Sequence, residues 1–308
     1  MPNETGFGHE TKERTANIKI GAAFLWRPRG FCRERKGIVN QFELKKAFTE
    51  NRRVYGTLIA SPSPKWAAEI SKTGADFVFI DSEHMPIDRS TRAWMCQCYK
   101  ALNIAPIVRI PFCHPYEAFS AIEDGAVGII SPYLETAEEV DTLIGAVKYR
   151  PLKGKRLREV LSGQAPLSKK EREYLEDYNK GHLLILNIES RFAVDHLDKL
   201  LAKPEVDAVF IGPHDLSINM GVPKEYDNTE FEEYVEKIIS ECVRRKLGVG
   251  NHFSGDIEKQ IQWAQKGMNI VVWNSDISRF IKAIGSDFNY IKEALGESTR
   301  SEAADVTI

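Results

Sequence analysis

"HLLILNIESRFAVDHLDKLLAKPEVDAVFIGPHDLS", residues 182–217, holds two short aliphatic runs, "HLLILNIE" and "DAVFIG", separated by a link of helical length. Neither run alternates apolar with polar residues. Strands apolar at nearly every position are buried on both faces, and two of them joined through a helix form a parallel βαβ unit. The unit recurs along the chain. "RVYGTLIA" (53–60), "DFVFID" (76–81), "APIVRI" (105–110), "VGIISP" (127–132), "GVGNHF" (248–253) and "MNIVVW" (268–273) bring the runs to eight. Amphipathic stretches such as "PKWAAEISKTG", "TAEEVDTLIGAVKY" and "EFEEYVEKIISECVRRKLG" lie between them. Several end near a glycine (Gly74, Gly248, Gly267), the residue helix C-caps prefer. Eight such units predict an α/β fold, a closed (β/α)8 TIM barrel. The alternative is an open doubly wound sheet, but no Gly-rich dinucleotide fingerprint follows the first run.

The barrel is expected over 51–298, with 1–50 as a partly ordered N-terminal extension and 299–308 as a C-terminal tail. The basic "RPRGFCRERKG" (27–37) reads as solvated chain rather than a binding arm. Between Tyr149 and Leu183 the connection is unusually long, with a helix expected near 168–179. The chain has 308 residues, 43% apolar and 28% charged, with a formal net charge of −2. That balance leaves no electrostatic footprint for nucleic acid. No run approaches the ~20 apolar residues that span a bilayer, and "IGAAFLW" is too short for a signal peptide, so a cytoplasmic protein is expected. Five cysteines (Cys32, Cys96, Cys98, Cys113, Cys242) are odd in number and lack zinc-knuckle spacing. They read as free thiols or small buried hydrophobes.

In a barrel of this kind, chemistry gathers at the C-terminal ends of the strands. The second run ends in "DSEH" with His84, and the third in "VRIP" with Arg109. The fifth ends in "LNIES", where Asn187 and Glu189 share a face because strand side chains repeat every two residues. The sixth ends in "GPHDLS", with His214 and Asp215. Glu189 and Asp215 stand one βα unit apart, so their carboxylates can converge. Without thiolates or an HxH pair, they suit a hard divalent cation such as Mg²⁺ or Mn²⁺, with Co²⁺ or Zn²⁺ as alternatives. The other reading is a structural ion pair between Glu189 and Arg109. Backbone N–H groups of Gly212, His214 and Asp215 are candidates to hold a substrate carboxylate. Arg109 offers a fixed positive charge for a carboxylate or enolate oxygen, and His84 an imidazole suited to act as a base near neutrality. His9, His114, His182 and His196 read as loop or helix-face residues, while His252, Trp273 and Asp276 are further candidates to line the site. No lysine sits at a strand end, which argues against a Schiff base.

These residues resemble the HpcH/HpaI class II aldolases, which act on 2-keto acids such as 4-hydroxy-2-oxoheptanedioate. The carriers are "GADFVFIDSEH", "PIVRIP", "DGAVGIISPYLETAEEV", "LNIES" and "DAVFIGPHDLS", and their order from about Gly56 to beyond Trp273 makes the likeness specific. The resemblance implies a metal-dependent barrel of the phosphoenolpyruvate/pyruvate-binding superfamily. It also implies a homo-oligomer, usually a hexamer with its last helix exchanged between subunits. It casts His84 as the base, Arg109 as the oxyanion stabiliser, Glu189 and Asp215 as metal ligands, and Asn187 and His214 as substrate-binding. The implied reaction is reversible cleavage of a 4-hydroxy-2-keto acid to pyruvate and an aldehyde, as in the catabolism of aromatic compounds. The alternatives are a 2-keto-acid decarboxylase, an acyl-CoA lyase, or a non-catalytic barrel that binds a keto acid. There are three departures. Asn187 stands where the family has Gln, and Glu123 in "IEDGA" stands where the family has an Asp that supports the histidine. "KGKRLREVLSG" replaces a Gly-rich stretch. Glu123 should end a helix at the rim away from His84, so it is expected to serve another subunit's site.

Overall fold

A computed structural model describes residues 41–298. Eight strands form a closed parallel barrel in sequence order: β1 Val54–Leu58, β2 Phe77–Asp81, β3 Ala105–Arg109, β4 Gly128–Ser131, β5 Leu183–Ile188, β6 Ala208–Ile211, β7 Gly248–Phe253 and β8 Ile270–Ser275. All eight predicted runs are strands. A helical connection follows each, which is why every strand is covered on its outer face and reads as continuously apolar. Val78, Ile80, Val108, Leu184, Leu186 and Val209 point outward into the layer against the helices. Phe77, Phe79, Ile107, Ile185, Phe210 and Val272 point inward. That alternation also decides where the polar groups go. The parity that sends Phe77 and Phe79 into the barrel sends Asp81 there too, and the same holds for Arg109 after Ile107 and for Asn187 after Ile185.

The interior is plugged from below by the helix Gln41–Thr49, whose Leu44, Ala47 and Phe48 join the inward-facing cluster. Phe48 lies where a Cβ on Gly248 would strike it at 2.7 Å, and the Phe48 carbonyl accepts from Asn269 Nδ2. The helix falls inside the 1–50 extension expected from sequence. Its packing makes Gln41–Thr49 part of the barrel, while "RPRGFCRERKG" and Cys32 lie outside the described residues. Asp207 anchors the same end, accepting from Lys148 Nζ, from the Leu184 amide at 2.8 Å and pairing with Lys45 at 2.9 Å.

Two local expectations need adjustment. Gly248 is the first residue of β7, not a C-cap; Lys246 takes the left-handed position after the helix Thr229–Arg245 (φ 58°). The long connection after Tyr149 holds the expected helix, Lys169–Tyr178, capped by Ser168 and Glu171, and a second one, Gly154–Leu161. The charges of "GKRLREVL" hide an apolar stripe of Leu157 and Leu161 that packs on Gly145. Beyond β8 one helix, Asp276–Ala294, runs without a break. Among the described residues no helix is long and apolar enough to cross a membrane, and Cys96, Cys98, Cys113 and Cys242 are free thiols.

If the helix Gln41–Thr49 is part of the barrel, Phe48→Ala should cost about 3–5 kcal/mol of unfolding free energy through the cavity it leaves. Urea denaturation followed by circular dichroism measures this; a loss below ~1 kcal/mol would make that helix a dispensable appendage.

Candidate active site

A cavity of ≈ 530 Å³ opens at the C-terminal ends of the strands. His84, Arg109, Asn187, Glu189, Gly212, His214 and Asp215 all line it, so seven of the residues singled out from sequence meet in one place. Its floor is aromatic. Phe79 stacks obliquely on Phe210 (5.7 Å) and His252 (5.6 Å), and the Arg109 guanidinium lies 5.3 Å from the Phe79 ring.

Arg109 is held by a residue that sequence reasoning passed over. Asp81 is its registered neighbour across β2 and β3, and accepts from Nε at 2.9 Å and from Nη2 at 2.6 Å. Burial alone would raise the Asp81 carboxyl; the Arg109 fork reverses that and holds it below the usual carboxylate range. Arg109 also lies 3.1 Å from Glu83, whose carboxyl burial pushes up against the pull of Arg109 and His84. The signal was present in "DSEH", but only the register shows which acid faces the arginine. Of the five guanidinium protons, two are committed to Asp81. His84 sits beside this group, its side chain 50% exposed and its Nε2 3.8 Å from Glu83.

Across the cavity, Glu189 is buried at the end of β5, accepting from the Tyr133 amide at 2.8 Å and from Asn187 Nδ2 at 2.7 Å. Burial, and then the neighbouring Asp215, push its carboxyl up to about 7. The structural ion pair with Arg109 weighed from sequence is not formed; Arg109 pairs with Asp81 and Glu83 instead. Gly212 allows Glu189 its position, since a Cβ there would lie 2.6 Å from Glu189 Cγ. The Gly212 amide is not available to a substrate, because it donates to the Ile188 carbonyl at 3.1 Å. His214 and Asp215 open the short helix Pro213–Asn219, where first-turn amides have no intrahelical acceptor.

Among the described residues no three His, Cys, Asp or Glu side chains cluster as a metal cage. The fit to a hard cation rests on fewer groups. Glu189 is a buried carboxylate whose nearest donors are neutral, beside a second carboxylate. Asn187 Oδ1, on the same wall, is buried without a partner. An oxygen-rich, electronegative corner with room for water suits a cation of the Mg²⁺ type.

His252, Lys224, Tyr226, Phe253, Ser254 and Gly255 complete the wall. His252 keeps a low pKa, about 4, through burial and the Arg109 charge, with Nε2 3.2 Å from the Asn274 carbonyl. Trp273 and Asp276 do not line the cavity. Asp276 instead accepts from the Ala60 and Ser61 amides at 2.9 and 3.0 Å, clasping β1 to the last helix. Glu123 ends the helix Pro115–Glu123, far from this mouth, and pairs with Arg150 at 2.7 Å.

With this geometry in place, comparison with known proteins gives a direct answer. The family model described as "HpcH/HpaI aldolase/citrate lyase" matches residues 55–283. The chain belongs to that family. It is 30% identical over 269 residues to the 2-keto-3-deoxy-L-rhamnonate aldolase of Salmonella typhi, covering 83% of this chain and 97% of the relative. It is 26% identical to the 5-keto-4-deoxy-D-glucarate aldolase of Salmonella paratyphi A, covering 77% of this chain and 92% of that one. The crystal structure of an HpcH/HpaI aldolase from Desulfitobacterium hafniense shares the fold, with a TM-score of 0.70, 23% identity, and 81% and 96% coverage. The family membership makes a keto-acid lyase the class of enzyme to be explained.

If Glu189 holds a cation, its raised carboxyl makes that binding pH-dependent. Below pH 7 a proton occupies the site a cation would need, so Mn²⁺ affinity should rise roughly tenfold between pH 6 and pH 8, as one displaced proton requires. Calorimetric titration at the two pH values tests this, and a pH-independent affinity would exclude Glu189 as a ligand. The sign for stability is opposite. With its pKa raised on folding, Glu189 destabilises the metal-free barrel as pH climbs from 4.5 towards 7, by on the order of 3 kcal/mol. Glu189→Gln should therefore raise the melting temperature of the chelated protein at pH 8, a result thermal scans can check.

Proposed function

We propose that this chain is a metal-dependent pyruvate aldolase that reversibly cleaves a 4-hydroxy-2-keto acid to pyruvate and an aldehyde. The observation that carries the reading is the convergence of His84, the Asp81-held Arg109 and the Glu189–Asp215 pair in one cavity, on a barrel of an aldolase family. Glu189 and Asp215 would hold the divalent cation, which when bound supplies Lewis-acid polarisation of the keto group.

The chain's own residues divide the remaining work. His84 takes the proton from the C4 hydroxyl. The C3–C4 bond then breaks, its electron pair passes toward the C2 oxygen to form an enolate, and the aldehyde departs. The free guanidinium protons of Arg109 stabilise the enolate oxygen, preorganised because Asp81 fixes the fork before substrate arrives. The proton on His84 is then available to C3, which yields pyruvate and restores the base. The His214 and Asp215 amides receive the substrate carboxylate, and Phe79, Phe210 and Phe253 keep bulk water from the floor.

Glu123 extends the proposal to assembly. It cannot reach His84 within one chain, because the packed barrel lies between them. We infer a homo-oligomer in which Glu123 of one copy, steered by Arg150, supports the histidine of another. Mixing Glu123→Gln with His84→Ala subunits should recover some activity that neither variant has alone. Failure to do so despite proven subunit exchange would remove Glu123 from the site.

Exhaustive chelation should abolish pyruvate release from a panel of 4-hydroxy-2-keto acids, and Mg²⁺ or Mn²⁺ should restore it. Borohydride with pyruvate should leave no covalent adduct at any lysine, Lys224 included. His84→Ala should lower turnover by about two to four orders of magnitude, and Arg109→Lys nearly as much, since a point charge lacks the fork that Asp81 grips. Full turnover in EDTA would sink the metal-dependent reading; wild-type turnover by His84→Ala would sink the base.

A further inference from the structure

A second cavity, of ≈ 550 Å³, lies among the outer helices of the barrel and shares no lining residue with the one at the mouth. It sits between the helices Pro115–Glu123, Ala137–Lys148 and Gly154–Leu161. The third of these is the charged stretch in the long connection after Tyr149, and its sequence explains the cavity. Leu157 and Leu161 stand one turn apart and share a face. They rest on Gly145, where a Cβ would meet Leu157 at 3.0 Å and Leu161 at 3.4 Å. With Phe119, Ala146 and Leu152 they give the cavity an apolar body.

Its charged groups are all of one sign. Arg150, Lys153 and Arg158 line the cavity, and among the described residues no Asp or Glu does. Lys153 and Arg158 are exposed and form no ion pair among the described residues; the Lys153 ammonium lies 5.3 Å from the Phe119 ring centre. Arg150 is only 6% exposed, with its guanidinium 5.5 Å from the Phe119 ring and 5.6 Å from that of Tyr178. Its Nε donates to Asn179 Oδ1 at 3.4 Å and its Nη1 to Glu123 at 2.7 Å. Nη2 is left without an acceptor among the described residues, and buried donors in that state are costly. The helix Gly154–Leu161 begins at Lys153 with no side-chain cap, so its first-turn amides add donors at the same edge.

We propose that this cavity binds a small organic anion, a carboxylate with an apolar tail. The carboxylate meets Arg150 Nη2 and Lys153, and the tail lies along Phe119, Ala146 and Leu157. A neutral solute would leave Nη2 unsatisfied, and inorganic phosphate would leave the apolar wall wet. The volume falls within the range of about 300–1,000 Å³ typical of small-molecule sites. The assignment stands independently of the reaction at the barrel mouth.

Octanoate, 1-octanol and acetate separate the two requirements when titrated calorimetrically into the full-length protein. Octanoate should bind roughly tenfold or more tighter than octanol, the scale of one charge-assisted hydrogen bond, and acetate should give no measurable binding. Removing both exposed cations, by Lys153→Gln with Arg158→Gln, should weaken octanoate about fivefold or more and leave octanol unchanged. Thr142→Trp, at an exposed position on the edge of the cavity, should block both ligands. An octanoate affinity that ignores Thr142→Trp would put the ligand elsewhere, the Glu189 corner included, and overturn the assignment. Equal binding of octanoate and octanol, or octanoate binding unchanged by the loss of both cations, would overturn it too. A wild type that binds none of the three, with Thr142→Trp lowering its mass in solution, would make the groove a seat for a second copy instead.

Discussion

The site depends on one buried ion pair between neighbouring strands. Asp81 and Arg109 are registered partners on β2 and β3, and each sits at the point where its strand leaves the sheet. Breaking such a pair by deleting one partner strands a charge in a low-dielectric wall, at a cost of about 3–5 kcal/mol. The pair does more than hold two strands together. It fixes the plane of the guanidinium and leaves its remaining protons to the cavity. Because Arg109 pairs with Asp81 and Glu83, it forms no ion pair with Glu189 or Asp215. The β5–β6 wall is therefore left with two neighbouring carboxyl groups and no basic side chain in an ion pair with Glu189.

This explains an otherwise awkward feature, a carboxylate buried among neutral donors. Glu189 has the Tyr133 amide and the Asn187 side chain, both neutral, and a second acid nearby. An isolated barrel would be more stable with an amide at that position. Gly212 compounds the cost, since it gives up a side chain so that Glu189 can approach. Sites that run against local stability in this way are where function overrides packing. By contrast, the opposite end of the barrel is built for stability alone: Phe48 fills it, and Asp207 is saturated by Lys45, Lys148 and a backbone amide.

The fold was legible in the sequence because doubly buried strands leave an unbroken apolar run, and eight such runs admit few architectures. The site was legible for a related reason: polar residues that interrupt those runs keep the strand parity, so Arg109, Asn187 and Glu189 could be assigned one face in advance. What escaped notice required register or long-range contact. Asp81 was visible beside His84, yet only the β2–β3 pairing joins it to Arg109. The Gly212 amide was offered to a substrate because nothing in "GPHDLS" shows that Ile188 has already claimed it. The helix Gln41–Thr49 precedes the first strand and repeats nothing, so its role as a plug left no periodic trace. Lys224 lies well beyond the strand end, on a loop whose course is set by the buried Ser217 hydroxyl.

That distribution gives the barrel a division of labour. Asp81, Arg109 and Asn187, at the ends of β2, β3 and β5, are fixed by sheet register, which tolerates almost no shift, and Arg109 is the group proposed to stabilise the enolate. Lys224 and Tyr226 are fixed by side-chain tethers and aromatic packing on a loop, where residues can change without disturbing a ladder hydrogen bond. The cavity thus combines strand-end groups whose placement tolerates little shift with loop groups that stand where the backbone can be rebuilt.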